Sequence, residues 1–147
     1  LPRFDFLPEV KGVEGLGGLG AGGSKWFGGV LGRDGRVFGL PRKSNSVLIV
    51  DPSTNTADAT SLTVDADPEQ DGKWLGGAVA LDGRIFCVPY MAESVLIIDP
   101  VSHATDTTTL SGLVGAGKWS GAVLAQDGRI FGVPRDHDAV LIVDPVR

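Results

Sequence analysis

The sequence predicts an all-β fold built from tandem copies of one structural unit, and three observations carry this prediction. First, a Lys-Trp pair that begins at Lys25 returns at Lys73 and Lys118, a spacing of 48 and then 45 residues. Second, every copy continues through an Asp-Gly-Arg segment to a Val-Leu-Ile run that ends in Asp-Pro. Third, short apolar runs alternate with glycine, proline and aspartate, which is typical of strands and turns. A fixed period in this range indicates a repeat architecture.

The first two strands of each copy form a hairpin, as the first copy illustrates. Residues 27–32 are a short strand of small residues, and Gly28 and Gly29 indicate that another backbone packs closely there. Asp34-Gly35 predicts a tight turn, because glycine adopts positive φ at no steric cost. Residues 36–40 then form the return strand, which ends at a proline.

The third and fourth strands decide the architecture. Residues 47–50 lack any polar alternation, so we expect neighbours to cover both faces of this strand. The equivalent runs at 95–98 and 140–143 predict two more strands that are nearly free of solvent contact. Residues 56–62 are rich in threonine and predict an outer strand. Four short strands in each copy, with the third one buried, describe a β-propeller blade between two neighbouring blades.

The repeats divide the chain into four parts. They are a glycine-rich N-terminal arm or linker (1–24), a first blade (25–72), a second blade (73–117) and a partial third blade (118–147). Within the arm, Phe4 to Leu7 form a candidate edge strand. A closed propeller needs at least about four blades of roughly 40–45 residues each. We therefore expect a part of a larger or assembled propeller, completed by self-association or by a protein partner.

The residues that carry a family resemblance lie in the second copy and repeat in the others. Residues 76–86, 95–100 and 107–110 resemble the YVTN-type, WD-like family of β-propeller repeats. The chain is also similar to tandem repeats of uncharacterised algal and protist proteins, over residues 25–147. In the wider propeller group some members resemble lyases or quinoprotein dehydrogenase subunits. Their catalytic histidine and metal-binding positions have no counterpart here, so the resemblance implies a fold and no catalytic residue or cofactor.

Composition excludes several classes of function. The net charge of −5 and the pI near 4.8 leave no basic stripe for a nucleic-acid backbone. No apolar run reaches the ~18 residues that a membrane span needs. The single cysteine, Cys87, replaces Gly39 and Gly132 of the other copies and is interpreted as a small buried filler. The first residue is Leu1, so a processed organellar or secreted form belongs to the hypothesis, and the compartment stays open.

Divergence between the copies predicts the binding face. The Asp-Gly and Asp-Pro turns hardly vary, whereas the loops between the second and third strands differ strongly. Loops on a rigid scaffold are where recognition is usually placed. The candidate binding residues are Arg42, Lys43, Asn45, Tyr90, Met91, Glu93, Arg135, Asp136 and His137. We expect Tyr90 and Arg135 to contribute most, because aromatic and guanidinium groups dominate interface energies.

A second candidate is a ligand platform made by the repeated Lys-Trp pairs. Its residues are Lys25, Trp26, Lys73, Trp74, Lys118 and Trp119. The indoles either pack between blades or stack on a sugar ring, and their burial distinguishes the two interpretations. The lysines either form a cationic cluster for an anionic ligand or stay solvated or paired with aspartates.

The sequence offers only a weak metal candidate. Asp65, Asp67, Glu69 and Asp71 alternate like the ligands of a calcium loop. The glycine that such a loop requires is replaced, and no closing glutamate follows, so a solvated acidic loop is the preferred interpretation. His137 lies between two aspartates, but the only other histidine, His103, belongs to a different type of loop. Two separated histidines do not make a site.

Three functional hypotheses remain open at this point. The preferred one is a non-catalytic protein-binding or assembly module, one form of which is an accessory subunit of a large complex, for example in an organelle. The second is a small-ligand or carbohydrate-binding propeller that uses the repeated tryptophans. The third is a fragment of a propeller enzyme whose catalytic residues lie outside this sequence.

Overall fold

The computed structural model describes residues 16–146, which contain eleven β-strands. In chain order they are β1 (Trp26–Leu31), β2 (Val37–Pro41), β3 (Leu48–Asp51), β4 (Thr56–Asp58), β5 (Trp74–Val79), β6 (Ile85–Pro89), β7 (Leu96–Asp99), β8 (Ala104–Asp106), β9 (Trp119–Leu124), β10 (Ile130–Pro134) and β11 (Leu141–Val143). The predicted edge strand at Phe4 to Leu7 lies outside the described residues. Within residues 16–146 there is no helix of the length and apolarity that crossing a membrane requires.

The strands form three antiparallel sheets, each of which follows the chain order. Blade 1 has the order β1-β2-β3-β4, blade 2 the order β5-β6-β7-β8, and blade 3 the strands β9, β10 and β11. The first strands of successive sheets contact one another, β1 with β5 and β5 with β9. This arrangement confirms the predicted fold class, an all-β protein of propeller blades in which two are complete and four-stranded and the third is partial.

The Asp-Gly-Arg turns have the predicted hairpin geometry. In blade 1 the Asp34 carboxylate accepts a hydrogen bond from the Arg36 N–H at 3.0 Å, and Gly35 has φ of +89°. The Arg36 guanidinium bonds the same carboxylate and holds the pKa of Asp34 below its usual value. Asp82 and Asp127 repeat this arrangement in the other two blades. The turn thus folds identically wherever the tripeptide occurs, because its contacts are local.

The outer strands are shorter than the sequence predicts, since β4 ends at Asp58 and not at residue 62. The Asp58 carboxylate bonds the Ser61 hydroxyl and accepts the N–H groups of Thr60 and Ser61. These bonds, with the hydroxyl contributing most, lower the pKa of Asp58 to about 2. A carboxylate that captures the next backbone donors ends a strand by offering them an alternative to the sheet. Asp106 does the same in blade 2.

Two apolar layers between the blades form the core. The layer between blades 1 and 2 contains Phe38, Leu40, Val47, Ile49, Trp74, Ile85, Cys87, Leu96 and Ile98, among others. The layer between blades 2 and 3 contains Ala78, Phe86, Val95, Ile97, Ile130 and Val143, among others. Blade 2 therefore presents alternate residues of its strands to blade 1 and to blade 3.

The expectation that all three Val-Leu-Ile runs are solvent-free holds only in blade 2. There Val95, Leu96, Ile97 and Ile98 are all buried. The prediction is wrong for the equivalent run in blade 3, because Val140 and Ile142 are each 53% exposed. The strand has nearly the same apolar sequence in each copy, but among the described residues 16–146 blade 2 alone has a neighbouring blade on both sides.

Candidate functional site: the loop face and the open blade faces

The loops that join the second and third strands lie together on one face, here called the loop face (residues 42–47, 90–95 and 135–140). A chain of backbone hydrogen bonds connects them through the lysines that precede the inner strands. It runs from Arg42 N–H to Lys25 O (3.0 Å), Lys73 N–H to Arg42 O (3.0 Å), Tyr90 N–H to Lys73 O (3.0 Å), Lys118 N–H to Tyr90 O (3.0 Å) and Arg135 N–H to Lys118 O (2.8 Å). The loop face is therefore a continuous structure that crosses all three blades.

The lysine of blade 2 connects loops beneath this face through buried hydrogen bonds. Lys73 is 0% exposed, and its Nζ donates to the carbonyls of Lys43 (2.7 Å), Gln70 (2.9 Å) and Asp67 (3.2 Å). Burial lowers the pKa of Lys73, and the Asp67 and Asp71 carboxylates oppose that lowering. The ammonium group therefore joins a blade 1 loop to the start of blade 2.

The other two lysines act in the same way. Lys118 is buried and donates to Gly115 O and Tyr90 O, and burial lowers its pKa. Lys25 is half-buried and donates to Gly20 O at 2.6 Å and to Gly22 O at 3.3 Å. These contacts give the lysines a structural role, one that the sequence left open beside a cationic cluster for an anionic ligand. Residues 20–24, assigned to the arm from sequence, supply carbonyl acceptors to the Lys25 ammonium. The loops between blades supply the same kind of acceptor to Lys73 and Lys118.

Two of the three tryptophans are buried in the fold. Trp74 is 1% exposed and Trp119 is buried, while Trp26 is half-buried at the start of the arc. Each indole Nε1 donates to a loop carbonyl, namely Ser46 O (2.9 Å), Ser94 O (2.8 Å) and Ala139 O (2.8 Å). A buried indole with a satisfied N–H offers no face to a sugar ring, so the geometry disfavours the carbohydrate platform at Trp74 and Trp119.

Several candidate binding residues have fixed side-chain neighbours. The Arg135 guanidinium lies over the Tyr90 ring, 5.4 Å from its centroid. Arg42 pairs with Asp71 at 3.1 Å, and the ring of His137 packs on Trp119. The loop face is thus partly preorganised, since these four side chains already have fixed neighbours.

The side chains of the loop face differ in how accessible they are. Lys43, Glu93, Arg135 and Asp136 are exposed and available for contacts. Tyr90, Met91 and His137 are half-buried. Asn45 is committed to the fold, because its Nδ2 donates to Ala66 O at 2.6 Å. The exposed part of the face therefore carries both signs of charge around a partly covered aromatic ring.

The acidic loop does not assemble a metal site. Asp67 accepts the Glu69 N–H at 2.9 Å, and Asp71 pairs with Arg42. Among residues 16–146, no three carboxylate, imidazole or thiol groups lie close enough to hold one ion. The calcium candidate Asp65, Asp67, Glu69 and Asp71 is therefore not supported. His103, on the opposite face, bonds Ser61 at 3.1 Å.

The face that carries the Asp-Gly turns links successive blades through arginine. Arg36 NH2 donates to Pro100 O of blade 2 at 3.1 Å, and Arg84 NH2 donates to Pro145 O of blade 3 at 2.7 Å. Within the described part of the chain, Arg129 of blade 3 bonds only Asp127 of its own turn. Each internal blade boundary thus has one such arginine, and the last arginine faces outward.

The two ends of the arc leave apolar surfaces uncovered. The blade 3 open face consists of Val123, Val133, Val140 and Ile142, all of them exposed. The blade 1 open face consists of Leu31, which is exposed, with the half-buried Val37, Leu48 and Val50. At the position of Val133, which is 51% exposed, blades 1 and 2 have Leu40 at 1% and Val88 at 0%. The sequence predicted that the ends of the arc need a partner, but it placed Leu48, Val50, Val140 and Ile142 in nearly solvent-free strands.

The free edge of blade 3 adds a groove. Because β11 has no fourth strand beside it among residues 16–146, a groove of about 220 Å³ opens along it. Leu110 and Leu113 of blade 2 form one wall, and Leu141 and Val143 form the other.

Comparison with known proteins supports the fold. No protein-family model and no curated protein matches the chain. Among solved structures it is similar to virginiamycin B lyase from Staphylococcus aureus, with a TM-score of 0.67 and 13% identity over 84% of this chain and 39% of the lyase. It is also similar to Kuenenia stuttgartiensis hydrazine synthase, with a TM-score of 0.61 and 21% identity over 95% of this chain and 37% of that one. The chain thus spans less than two fifths of either structure, and at these identities the likeness concerns the fold.

Proposed function

We propose that this chain is a non-catalytic β-propeller module that binds protein and assembles through its blades, in one form as an accessory subunit of a large complex. The observation that carries this proposal is the pair of open blade faces. Residues that are buried between blades 1 and 2 or between blades 2 and 3 have exposed equivalents at the ends of the arc. Apolar patches of this kind mark interaction sites.

The alternative functions have weaker support. A carbohydrate platform needs accessible indoles, and two of the three are buried. A fragment of a propeller enzyme, with its catalytic residues outside this sequence, is favoured by no contact among residues 16–146, where the two histidines bond or pack within different loops. The lyase and the synthase share this fold at low identity, so their activities are not carried over to this chain.

The assembly proposal predicts the mass of the purified chain in solution. We expect light scattering to give a mass above the 15.3 kDa of one chain, rising with protein concentration. The physical reason is that uncovered blade faces lower their free energy by leaving water. A concentration-independent monomer of 15.3 kDa that unfolds in one cooperative transition would contradict the proposal.

The loop face is the second contact surface of this proposal, and Arg135 and Tyr90 are its expected main contributors. Arg135→Ala and Tyr90→Ala should each remove a contact that contributes roughly 0.5–1 kcal/mol to stability, so Tm falls by only a few degrees. Binding of a partner should weaken much more, since arginine and tyrosine are frequent hot-spot residues.

Cross-linking from the exposed Lys43 measures this binding, because its amine lies on the same face. Cross-links to partner proteins should decrease in both variants and persist in Ser53→Ala, a change on the opposite turn face. Equal loss of cross-links in all three variants, or in none, would argue against the loop face.

A further inference from the structure

We infer that the blade 3 open face docks on the blade 1 open face of a second copy of this chain, in a head-to-tail arrangement. The inference rests on the proposed assembly function and names its partner. Three independent sets of groups, which lie on the apolar faces, on the loop face and on the turn face, fit this arrangement.

The apolar sets are complementary because the chain already contains the interface twice. At the first internal boundary Leu40 of blade 1 packs on blade 2, and its Cδ1 lies 3.0 Å from the position that a Cβ on Gly77 would occupy. At the second boundary the equivalent residue Val88 packs on blade 3, where its Cγ1 lies 3.1 Å from the position that a Cβ on Gly132 would occupy. Val133 is the third member of this series and has no blade in front of it within residues 16–146. The natural counterpart of the blade 3 open face is therefore a surface like that of blade 1.

The blade 1 open face has the matching residues. In blade 2 the side that meets the preceding blade carries Ile85, Leu96 and Ile98, all 0% exposed. Blade 1 has Val37, Leu48 and Val50 at the same repeat positions, half-buried and facing outward. A second copy thus supplies both halves of a layer with the composition of the two existing layers.

The series of backbone hydrogen bonds across the loop face begins at a donor in blade 1 and ends at an acceptor in blade 3. At each internal boundary the lysine N–H of one blade bonds the carbonyl of Arg42 or Tyr90 in the blade before it. The carbonyl of Arg135 is the next acceptor in this series, and the N–H of Lys25 is the donor at its beginning. Among residues 16–146 the acceptors of the Lys25 ammonium lie in its own loop, whereas Lys73 and Lys118 each reach a carbonyl of the preceding blade. Head-to-tail docking places these groups together.

The turn face repeats this complementarity. The arginine of one blade donates to the Asp-Pro carbonyl of the next, as Arg36 does to Pro100 and Arg84 to Pro145. Arg129 is the third arginine of the series, and Pro52 of blade 1 is the equivalent carbonyl. In the proposed assembly Arg129 of one copy donates to Pro52 O of the other.

Two copies joined in this way close on themselves. Head-to-tail contacts use different surfaces on the two partners and form a ring when the rotation closes. Two copies of three blades give six blades, which lies within the range of roughly four to eight blades seen in propellers. A closed pair covers both open faces of both copies, so the expected species is a dimer.

A complementation experiment tests this arrangement. Val133→Glu blocks the blade 3 open face, and Leu31→Glu blocks the blade 1 open face, by placing a carboxylate in the apolar layer. Both side chains are exposed in a single chain, so both variants should fold, which circular dichroism checks.

Sedimentation velocity should show that self-association of either variant alone is weakened more than about tenfold. An equimolar mixture should recover a dimer through one intact junction, between the blade 3 open face of Leu31→Glu and the blade 1 open face of Val133→Glu. Its other junction holds both carboxylates, so this dimer should be weaker than that of the unmodified chain and stronger than that of either variant alone. Val101→Glu, at a 95% exposed turn position, should associate like the unmodified chain.

The outcomes separate this inference from the proposed function. If the unmodified chain is a monomer, both fail. If it associates but the mixture recovers nothing, the assembly function stands and the head-to-tail inference is overturned. Association of Leu31→Glu alone at normal strength indicates contact between two blade 3 faces and likewise overturns it.

Discussion

Replacing Leu96 with alanine is expected to destabilise the chain by roughly 2–5 kcal/mol. Leu96 is 0% exposed and belongs to the apolar layer that also contains Trp74 and Ile98. Because β7 has strands on both sides and blades on both faces, the cavity left by the missing side chain has little room to collapse. Denaturant unfolding measures the cost as a lower midpoint at an unchanged slope.

The matched control is Val101→Ala. Val101 is 95% exposed in the turn after β7, so its truncation should change the free energy of unfolding by less than about 0.5 kcal/mol. A cost below about 1 kcal/mol for Leu96→Ala would mean that blade 2 is not covered on both faces. That result would remove the structural basis for treating blades 1 and 3 as open ends.

The second large effect is expected at Gly76, where two inner strands meet. Gly76 has φ of +125°, and a Cβ built on it would lie 2.5 Å from the Cα of Gly121 in blade 3. Gly76→Ala therefore combines a strained backbone conformation with a clash against main chain, and we expect a loss of about 2–4 kcal/mol. The strands have to separate to accept the methyl group, so blade 3 should lose protection in hydrogen exchange before blade 1 does.

Gly29→Ala is the matched control for this change. Gly29 lies in the equivalent strand of blade 1 without a positive φ, and its nearest neighbour atom would be 3.4 Å from the new Cβ. Blade 3 has Ala122 at the same repeat position. The control should therefore unfold within about 1 kcal/mol of the unmodified chain. If both changes destabilise the chain equally, the cost of Gly76→Ala arises from replacing a glycine and not from the contact with Gly121.

Packing between blades links these two tests to function. Leu96 lies at the boundary between blades 1 and 2, and Gly76 lies at the boundary between blades 2 and 3. The ends of the arc expose apolar faces of the same kind. A variant that loosens the boundary between blades 2 and 3 should therefore also change how the chain associates. The complementation experiment acts at the outer faces only, so it separates loss of association from loss of folding.

The turns and strands that depend on interactions within a few residues were predictable from sequence. The Asp34-Gly35 turn, the strands on either side of it and the stop at Pro41 follow from φ preferences and from hydrogen bonds within a few residues. The Lys-Trp spacing predicted the number and order of the blades, because a repeat that folds once folds the same way again. The burial of Cys87 followed from the glycines at its equivalent positions, and burial raises the pKa of its thiol.

Long-range contacts decided the rest. The same lysine position is half-buried at Lys25 and fully buried at Lys73, because only the latter has a preceding blade whose carbonyls surround the ammonium group. The same isoleucine position is buried at Ile97 and 53% exposed at Ile142, because in the described part of the chain Ile97 alone has a following blade. Sequence by itself determined the blade, since its turns and strands depend on neighbours along the chain. Tertiary structure alone decided which copies of each residue are covered, since that depends on which blades stand beside them.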